Sequence, residues 1–361
     1  MKKIYRKYLK IVEKIKAIFS KKRLKLYYIW MHKYKVNIGV EPKWSLREKI
    51  KYNRLGFTNE DYFIFNLKEN DYKNYISFWE RLRLEGINGR LSVFLGEKLM
   101  FERIFGNFIG VPHINCWVKN ATFIDMDAGK PVDIISILKS KKKLISKPTR
   151  SVGGGTGIHK IEYINGKTII DDKECSSEQF LKETASWEEY IFVDYINQAK
   201  YSDKIFSETV NTIRIITAIR KTGDFEVVLA VHRFGTEQSK PVDNASSGGI
   251  FASINIETGV LSSAVRETEP DRTYFEHPDT EAQIEGIIIP NWEHIKQKVL
   301  SVHRRFPYYS FLAWDIVQDE NGDTCVLEIN RGSDLMWQMI TPLRHEPLGE
   351  FMRENGLLDK W

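Results

Sequence analysis

Residues 311–330 read Phe311-Leu312-Ala313-Trp314-Asp315-Ile316-Val317-Gln318-Asp319-Glu320-Asn321-Gly322-Asp323-Thr324-Cys325-Val326-Leu327-Glu328-Ile329-Asn330. Asn-Gly between two apolar runs is the strongest short hairpin signal and predicts a two-residue type I′ turn. That turn sets Glu320 opposite Asp323. Counting outward, it sets Asp315 opposite Glu328, with Cβ atoms about 5 Å apart on one sheet face. Asn330 lies two residues beyond Glu328 and projects from the same face. Facing carboxylates repel, and Leu312, Ile316, Val326 and Leu327 around them argue against full hydration. A divalent cation resolves both costs. Two carboxylates and an amide oxygen are hard donors that suit Mg²⁺. The competing reading is an exposed strand face that happens to carry acids.

Upstream, Lys141–Lys160 holds a second signal, Ser146-Lys147-Pro148 followed by Gly153-Gly154-Gly155-Thr156-Gly157. Four glycines in five residues can turn backbone N–H groups toward an anion without side chains to block phosphate oxygens. No Gly-Lys-[Ser/Thr] ends the loop and a β-rich segment follows it, so it is neither a Walker A loop nor a Rossmann turn. Lys147 ends the preceding strand, where its ammonium can reach a phosphate as a point charge. Read alone, the loop is equally a surface turn without a role. Beside a Mg²⁺ site, the phosphate reading gains weight.

The rest of the chain frames these segments. Apolar and β-branched runs predict strands at 144–146, 168–170, 190–196, 213–219, 225–231, 250–256, 311–317 and 324–329. Helices are expected at about 176–186, 291–305 and 347–356, and residues 45–110 read as mainly helical. Hairpin-type turns (Asn165-Gly166, Thr222-Gly223, Thr258-Gly259) join many adjacent strands. The expected class is α+β on antiparallel sheets, not a doubly wound parallel sheet.

Composition narrows the function. The 361 residues are 42% apolar and 28% charged, which fits a folded chain rather than a disordered one. No apolar run approaches the roughly 20 residues that span a bilayer, and no secretory apolar core follows the N-terminus. Three scattered cysteines, Cys116, Cys175 and Cys325, form neither a zinc pattern nor a disulfide framework and point to a reducing cytoplasm. Charge is unevenly placed: residues 1–36 hold 13 Lys/Arg against Glu13 alone, while the remainder holds 41 basic and 47 acidic residues. Ile4, Tyr8, Ile11, Ile15 and Ile18 recur at helical spacing among those lysines. Such a helix either docks on its own domain or lies on an anionic membrane surface at the inner face, each lysine contributing about 1 kcal/mol there. Nucleic acid is not expected, since no nucleic-acid motif follows.

Together these residues resemble the ATP-grasp superfamily, and more narrowly its sugar-transfer-associated branch, linked to bacterial surface polysaccharide (capsule) synthesis. The likeness runs over about 92–340. It implies two α+β subdomains with antiparallel sheets sandwiching ATP, and one or two Mg²⁺ ions. Glu97-Lys98 ahead of Gly110-Val111-Pro112 resembles the family's first nucleotide lysine, and Lys147 its strand-borne second. Gly153, Gly154, Gly155, Thr156 and Gly157 resemble the phosphate flap, and Asp194-Tyr195-Ile196 the adenine hinge. Asp315, Glu328 and Asn330 match the metal ligands in order and spacing. Arg214 matches the arginine that steadies the transferring phosphoryl, and Arg233 and Lys147 join it as catalytic candidates. Asn244, Ser246, Ser247, Gly248 and Gly249 resemble the substrate loop, and Arg331 could hold a substrate carboxylate or phosphate. The sequence departs at Ala313, where several relatives carry arginine. Trp314, Trp337, Tyr308 and Tyr309 either stack on a sugar or fill the core.

The resemblance implies an ATP-dependent carboxylate–amine ligase working through an acyl phosphate. It would amidate a sugar acid or attach an amino acid to a glycan precursor. A small-molecule kinase and a non-catalytic module recruiting glycosyltransferases are the alternatives. The expected layout is a basic helical region at 1–90 and a central subdomain at 91–145. A flap-and-hinge subdomain at 146–200 and a metal-bearing one at 201–361 complete it.

Overall fold

The structure, a computed structural model, describes residues 45–150 and 155–360. The basic segment 1–36, with its expected membrane contact, and Gly153 and Gly154 of the flap lie outside the described residues. Among those described, the chain forms two compact units. One takes the residues up to Glu85 with those from Asp334 onward, and the other is Gly86–Ser333. Residues 334–360, grouped in the sequence reading with the metal-bearing sheet, therefore pack with the N-terminal helices.

The first unit is helical because its starts are well capped. Ser45 and Glu48 form a capping box at Leu46–Leu55, and Thr58 and Asp61 form another at Asn59–Ile64. Its two chain segments are joined by buried polar contacts. Glu80, at 0% exposure, accepts from Arg344 Nη1 through both oxygens (3.0 and 2.9 Å) and from the Ser77 and Asp359 backbone N–H groups. Gln338 pairs with both backbone groups of Ile76 (2.7 and 3.0 Å). The helix Pro347–Glu354 buries Leu348, Phe351 and Met352 on one stripe.

The second unit holds two seven-stranded antiparallel sheets. The first is ordered β2-β1-β7-β3-β4-β5-β6. Its strands are β1 (Ile114–Lys119), β2 (Thr122–Asp125), β3 (Lys143–Pro148), β4 (His159–Ile164), β5 (Lys167–Ile170), β6 (Lys173–Cys175) and β7 (Tyr190–Asp194). The hairpin β1–β2 comes from the 91–145 stretch and pairs β7 of the 146–200 stretch, so one sheet spans both expected segments. One face packs Cys116, Val118, Leu144, Ile161 and Phe192 under the helices Ile134–Lys141 and Ser177–Thr184. The other presents Ile114, Ile145, Ile191 and Val193.

The second sheet is ordered β12-β11-β10-β9-β8-β13-β14. It comprises β8 (Ile213–Ile219), β9 (Phe225–Phe234), β10 (Ile250–Ile254), β11 (Leu261–Arg266), β12 (Glu269–Tyr274), β13 (Phe311–Gln318) and β14 (Thr324–Asn330). Ile213, Ile215, Ala230, Leu312, Trp314 and Ile316 line its core face against the helix Trp292–His303. Period-2 alternation then puts Arg214, Arg233 and Asp315 on the opposite face. Trp314, Trp337 and Tyr309 are buried, and Tyr308 is exposed, so core packing is what the first three do.

The expected strands are present; β1, β2, β4, β6, β11 and β12 were not foreseen. Three of these, β2, β6 and β12, are edge strands, and β4 interrupts its isoleucines with Lys160 and Glu162, the latter paired with Lys143 of β3. The central hairpin differs in detail. Asp319, not Glu320, pairs with Asp323, leaving a three-residue loop. The Asp319 carboxylate accepts the Asn321 and Asp323 N–H groups (both 2.9 Å), and Gly322 takes φ +87°, the turn-plus-bulge alternative to type I′. A bulge between Asp315 and Ile316, with Leu327 the extra residue on β14, restores the pairing, so Asp315 does face Glu328.

Candidate active site

Three neighbouring strands bring the charged groups into line. On β13, Asp315 is paired with Glu328 of β14 on one side and with Arg214 of β8 on the other. Arg214 grips Asp315 as a fork: Nε donates to Oδ1 and Nη2 to Oδ2 at 3.1 Å. Arg233, on β9, places Nη2 3.5 Å from Asp315 Oδ2. Burial alone raises the Asp315 pKa, but the Arg214 and Arg233 guanidiniums outweigh it and hold the carboxyl below its ordinary range. The repulsion expected between Asp315 and Glu328 is thus already offset by protein cations, and a metal is not needed for that purpose.

The donor chemistry is what fits a metal. Asn330 Nδ2 lies 3.2 Å from both Asp315 Oδ2 and Glu328 Oε1, so three side chains converge at one point. Reversing the Asn330 amide presents a third hard oxygen there. Among the described residues no three His, Cys, Asp or Glu side chains form a ligand group, so the acid pair depends on that amide. Asp315, Glu328 and Asn330 would hold Mg²⁺.

Two lysines, one from a helix and one from the first sheet, lie on the other side. Lys98 opens the helix Lys98–Phe105, which is capped by the Glu97 side chain; its Nζ is 3.5 Å from Glu328 Oε2. Lys147, buried on β3, has Ile191 as cross-strand neighbour and shares a face with Ile145. Burial, then the nearby Lys98 ammonium, pushes its pKa down to about 8, against the pull of Glu328 and Asp315. The structure sets Lys98 beside Glu328, with Lys147 near enough to both to feel their charge.

The remaining expected residues fall around this cluster. Gly155 lies against the substrate-like loop: a Cβ there would meet Asn244 Nδ2 at 2.8 Å. Thr156 is exposed, and Gly157 packs on the Tyr190 hydroxyl. The Asp194 carboxylate is taken by Asn115 (2.8 Å) and Lys141 (2.9 Å), and Lys143 stands over the Tyr195 ring at 4.3 Å. Ile196 follows, half-buried. Asn244 starts the short turn Ala245–Ser247, with Gly248 and Gly249 buried behind it and Ser246 exposed. Arg331 is exposed. Two residues that the sequence reading passed through without giving them a role, Thr212 and Asp243, bind each other and Arg233. Their only signal was adjacency to Asn211–Arg214 and Asn244. No helix among the described residues is long and apolar enough to cross a membrane.

Comparison with curated proteins gave no match. Several solved structures resemble the fold. N5-carboxyaminoimidazole ribonucleotide synthetase from Thermotoga maritima is 10% identical over 74% of this chain and 51% of its own, with TM-score 0.39. The VanG D-Ala:D-Ser ligase from Enterococcus faecalis is 14% identical over 73% and 60%, with TM-score 0.38. The ATP-grasp ligase PsnB, solved with a phosphomimetic variant of a minimal precursor, Mg and ADP, is 10% identical over 76% and 62%, with TM-score 0.39. The matched stretches span between 51% and 62% of those chains. A family profile described as sugar-transfer associated ATP-grasp matches residues 80–346, which take in both sheets and every charged group above. By that match the chain belongs to the sugar-transfer-associated ATP-grasp family.

Proposed function

We propose that the protein is an ATP-dependent carboxylate–amine ligase. The observation that carries this reading is the convergence of Lys98, Lys147, Arg214 and Arg233 on the Asp315–Glu328–Asn330 group. Four cations around two acids and an amide suit a triphosphate, and Ile145, Ile191 and Val193 beside Lys147 offer an apolar bed for its base. The backbone of Asp194–Ile196 would meet the adenine edge, and the glycines 153–157 would cover the phosphates. Asp315, Glu328 and Asn330 would hold Mg²⁺, which would supply Lewis-acid neutralisation of phosphate charge.

A substrate carboxylate, held by Arg331 and the Asn244–Gly249 loop, attacks the γ-phosphorus in line and ADP leaves. Lys147 and the two arginines meet the charge that develops, fixed donors of this kind contributing about 3 kcal/mol each. The resulting acyl phosphate is attacked by an amine, which forms the C–N bond and releases phosphate. Exclusion of water protects the acyl phosphate in between. The family's sugar-transfer association supports a sugar acid, or an amino acid joined to a glycan precursor, as the carboxylate. The basic segment 1–36 would hold the enzyme at the inner membrane face near lipid-linked glycans.

Mg·ATP turnover tests the reading, assayed as ADP and phosphate release against pooled uronic acids and amino acids. Release of both products that depends on acid and amine together supports it. A stable phosphorylated product without any amine identifies a kinase. ATP binding without turnover across all pools identifies a non-catalytic module.

A further inference from the structure

Behind the two arginines stands a buried polar relay that the scheme above leaves without a task. Asp243 is 6% exposed and Thr212 3%. Asp243 Oδ2 accepts the Thr212 backbone N–H at 2.8 Å and also the Thr212 hydroxyl. With its proton directed at that carboxylate, the hydroxyl oxygen is left as an acceptor. It receives Arg233 Nε–H at 2.8 Å, and Nη2 of the same guanidinium. Arg233 Nε also lies 3.4 Å from Asp243 Oδ2. The backbone of Arg233 is fixed as well. His232 Nδ1 lies 3.1 Å from the Arg233 carbonyl oxygen, so Nδ1 carries the proton. Nε2 of that ring accepts from the Tyr201 hydroxyl at 2.9 Å.

Arg214 and Arg233 therefore differ. Arg214 is forked onto Asp315, whereas Arg233 is aimed from behind and reaches Asp315 with one nitrogen at 3.5 Å. A guanidinium oriented by its own protein gives up little rotamer freedom when an anion arrives. We propose that Asp243, acting through the Thr212 hydroxyl, is a positioning residue. It orients Arg233 toward an anion held by the cations that surround the Asp315–Glu328–Asn330 group. Under the ligase reading, on which only the identity of that anion rests, the anion is the terminal phosphoryl group of the nucleotide. Asp243 also begins the loop that runs to Gly249, so order in that loop and the aim of Arg233 are joined.

The test compares Thr212→Val with Thr212→Ser, which keeps the hydroxyl, and uses Asp243→Asn as an independent variant. Affinities for Mg·AMP-PNP and Mg·ADP are measured by calorimetry, and Arg233 Nε–H exchange by NMR, its resonance assigned through Arg233→Lys. Thr212→Val is expected to lose about tenfold of the triphosphate-over-diphosphate preference, the scale of one charge-assisted hydrogen bond. Mg·ADP affinity should change less than twofold, Thr212→Ser should retain the preference, and Arg233 Nε–H exchange should quicken in Thr212→Val and Asp243→Asn but not in Thr212→Ser. Adding Thr212→Val to Arg233→Lys should cost nothing further. An additive loss, or equal Nε–H exchange in wild type and Thr212→Val, overturns the proposal. A chain that binds neither nucleotide yet shows the exchange difference would sink the nucleotide reading and leave the positioning standing.

Discussion

Lys147 carries the clearest pH signature of the site. Its folded pKa of about 8 lies below the 10.5 of an ordinary lysine. Between those values the unfolded chain binds more protons, so this group makes the fold more stable as pH rises from about 8 toward 10.5. A triphosphate beside it acts in the opposite direction and raises the pKa. Nucleotide binding near pH 8 should therefore take up a few tenths of a proton and weaken as pH rises further. Calorimetry in two buffers of different ionisation enthalpy reads the uptake, and Lys147→Met should abolish it. The two acids should separate activity from stability. Glu328→Gln is expected to lower turnover by at least about a hundredfold with little change in melting temperature. Asp315→Ala leaves the buried Arg214 guanidinium without the acid it forks and should also cost about 3–5 kcal/mol in denaturant unfolding. Equal melting of the two variants would contradict the Arg214 fork.

The flap strand and the central hairpin show how elements set these residues in place. Gly157 has φ +78°, and a Cβ there would lie 2.4 Å from the Tyr190 hydroxyl oxygen, at the foot of β4. Gly157→Ala should destabilise by about 1–2 kcal/mol through the left-handed backbone alone, with the contact in addition. Tyr190→Phe in the same chain should recover the contact part but not the backbone part, as read by thermal unfolding. In the hairpin, alternation and Asn321-Gly322 made the facing acids legible. The expected register survives because two departures cancel: Asp319 lengthens the loop by one residue, and the bulge at Leu327 absorbs it. One without the other would turn Glu328 to the opposite face. Val326 N–H donates to Gly110 O at 2.8 Å beside the bulge, a contact between residues far apart in sequence that no local pattern announces.

At the level of the molecule, the C-terminal residues are the main surprise. They follow β14 directly, which is why the sequence reading joined them to it. Buried pairing takes them elsewhere: Arg344 is 5% exposed and its partner Glu80 is 0% exposed. Glu80→Gln removes the buried negative charge that Arg344 meets through both oxygens and should destabilise the helical unit by about 3–5 kcal/mol. Limited proteolysis of that variant should cut between 334 and 346 sooner than in the wild type. Unchanged cleavage would show that Gln338 and the apolar stripe of Pro347–Glu354 suffice to hold the segment.

Local chain chemistry was enough to reveal the antiparallel α+β class, most central strands, the acid pair with its amide, and the lysine ahead of the glycines. Each depends on side-chain period, turn residues or spacing within some twenty positions, and such signals are written in neighbouring residues. The partner of Asp315 was not so written. Arg214 is 101 positions away and reaches it because β8 adds beside β13 in the sheet order. The same holds for the Thr212–Asp243 grip on Arg233, the Lys98 contact with Glu328, and the return of the last residues to Glu80. Periodicity tells which face a side chain occupies; which distant face it meets follows only from how the folded elements are stacked.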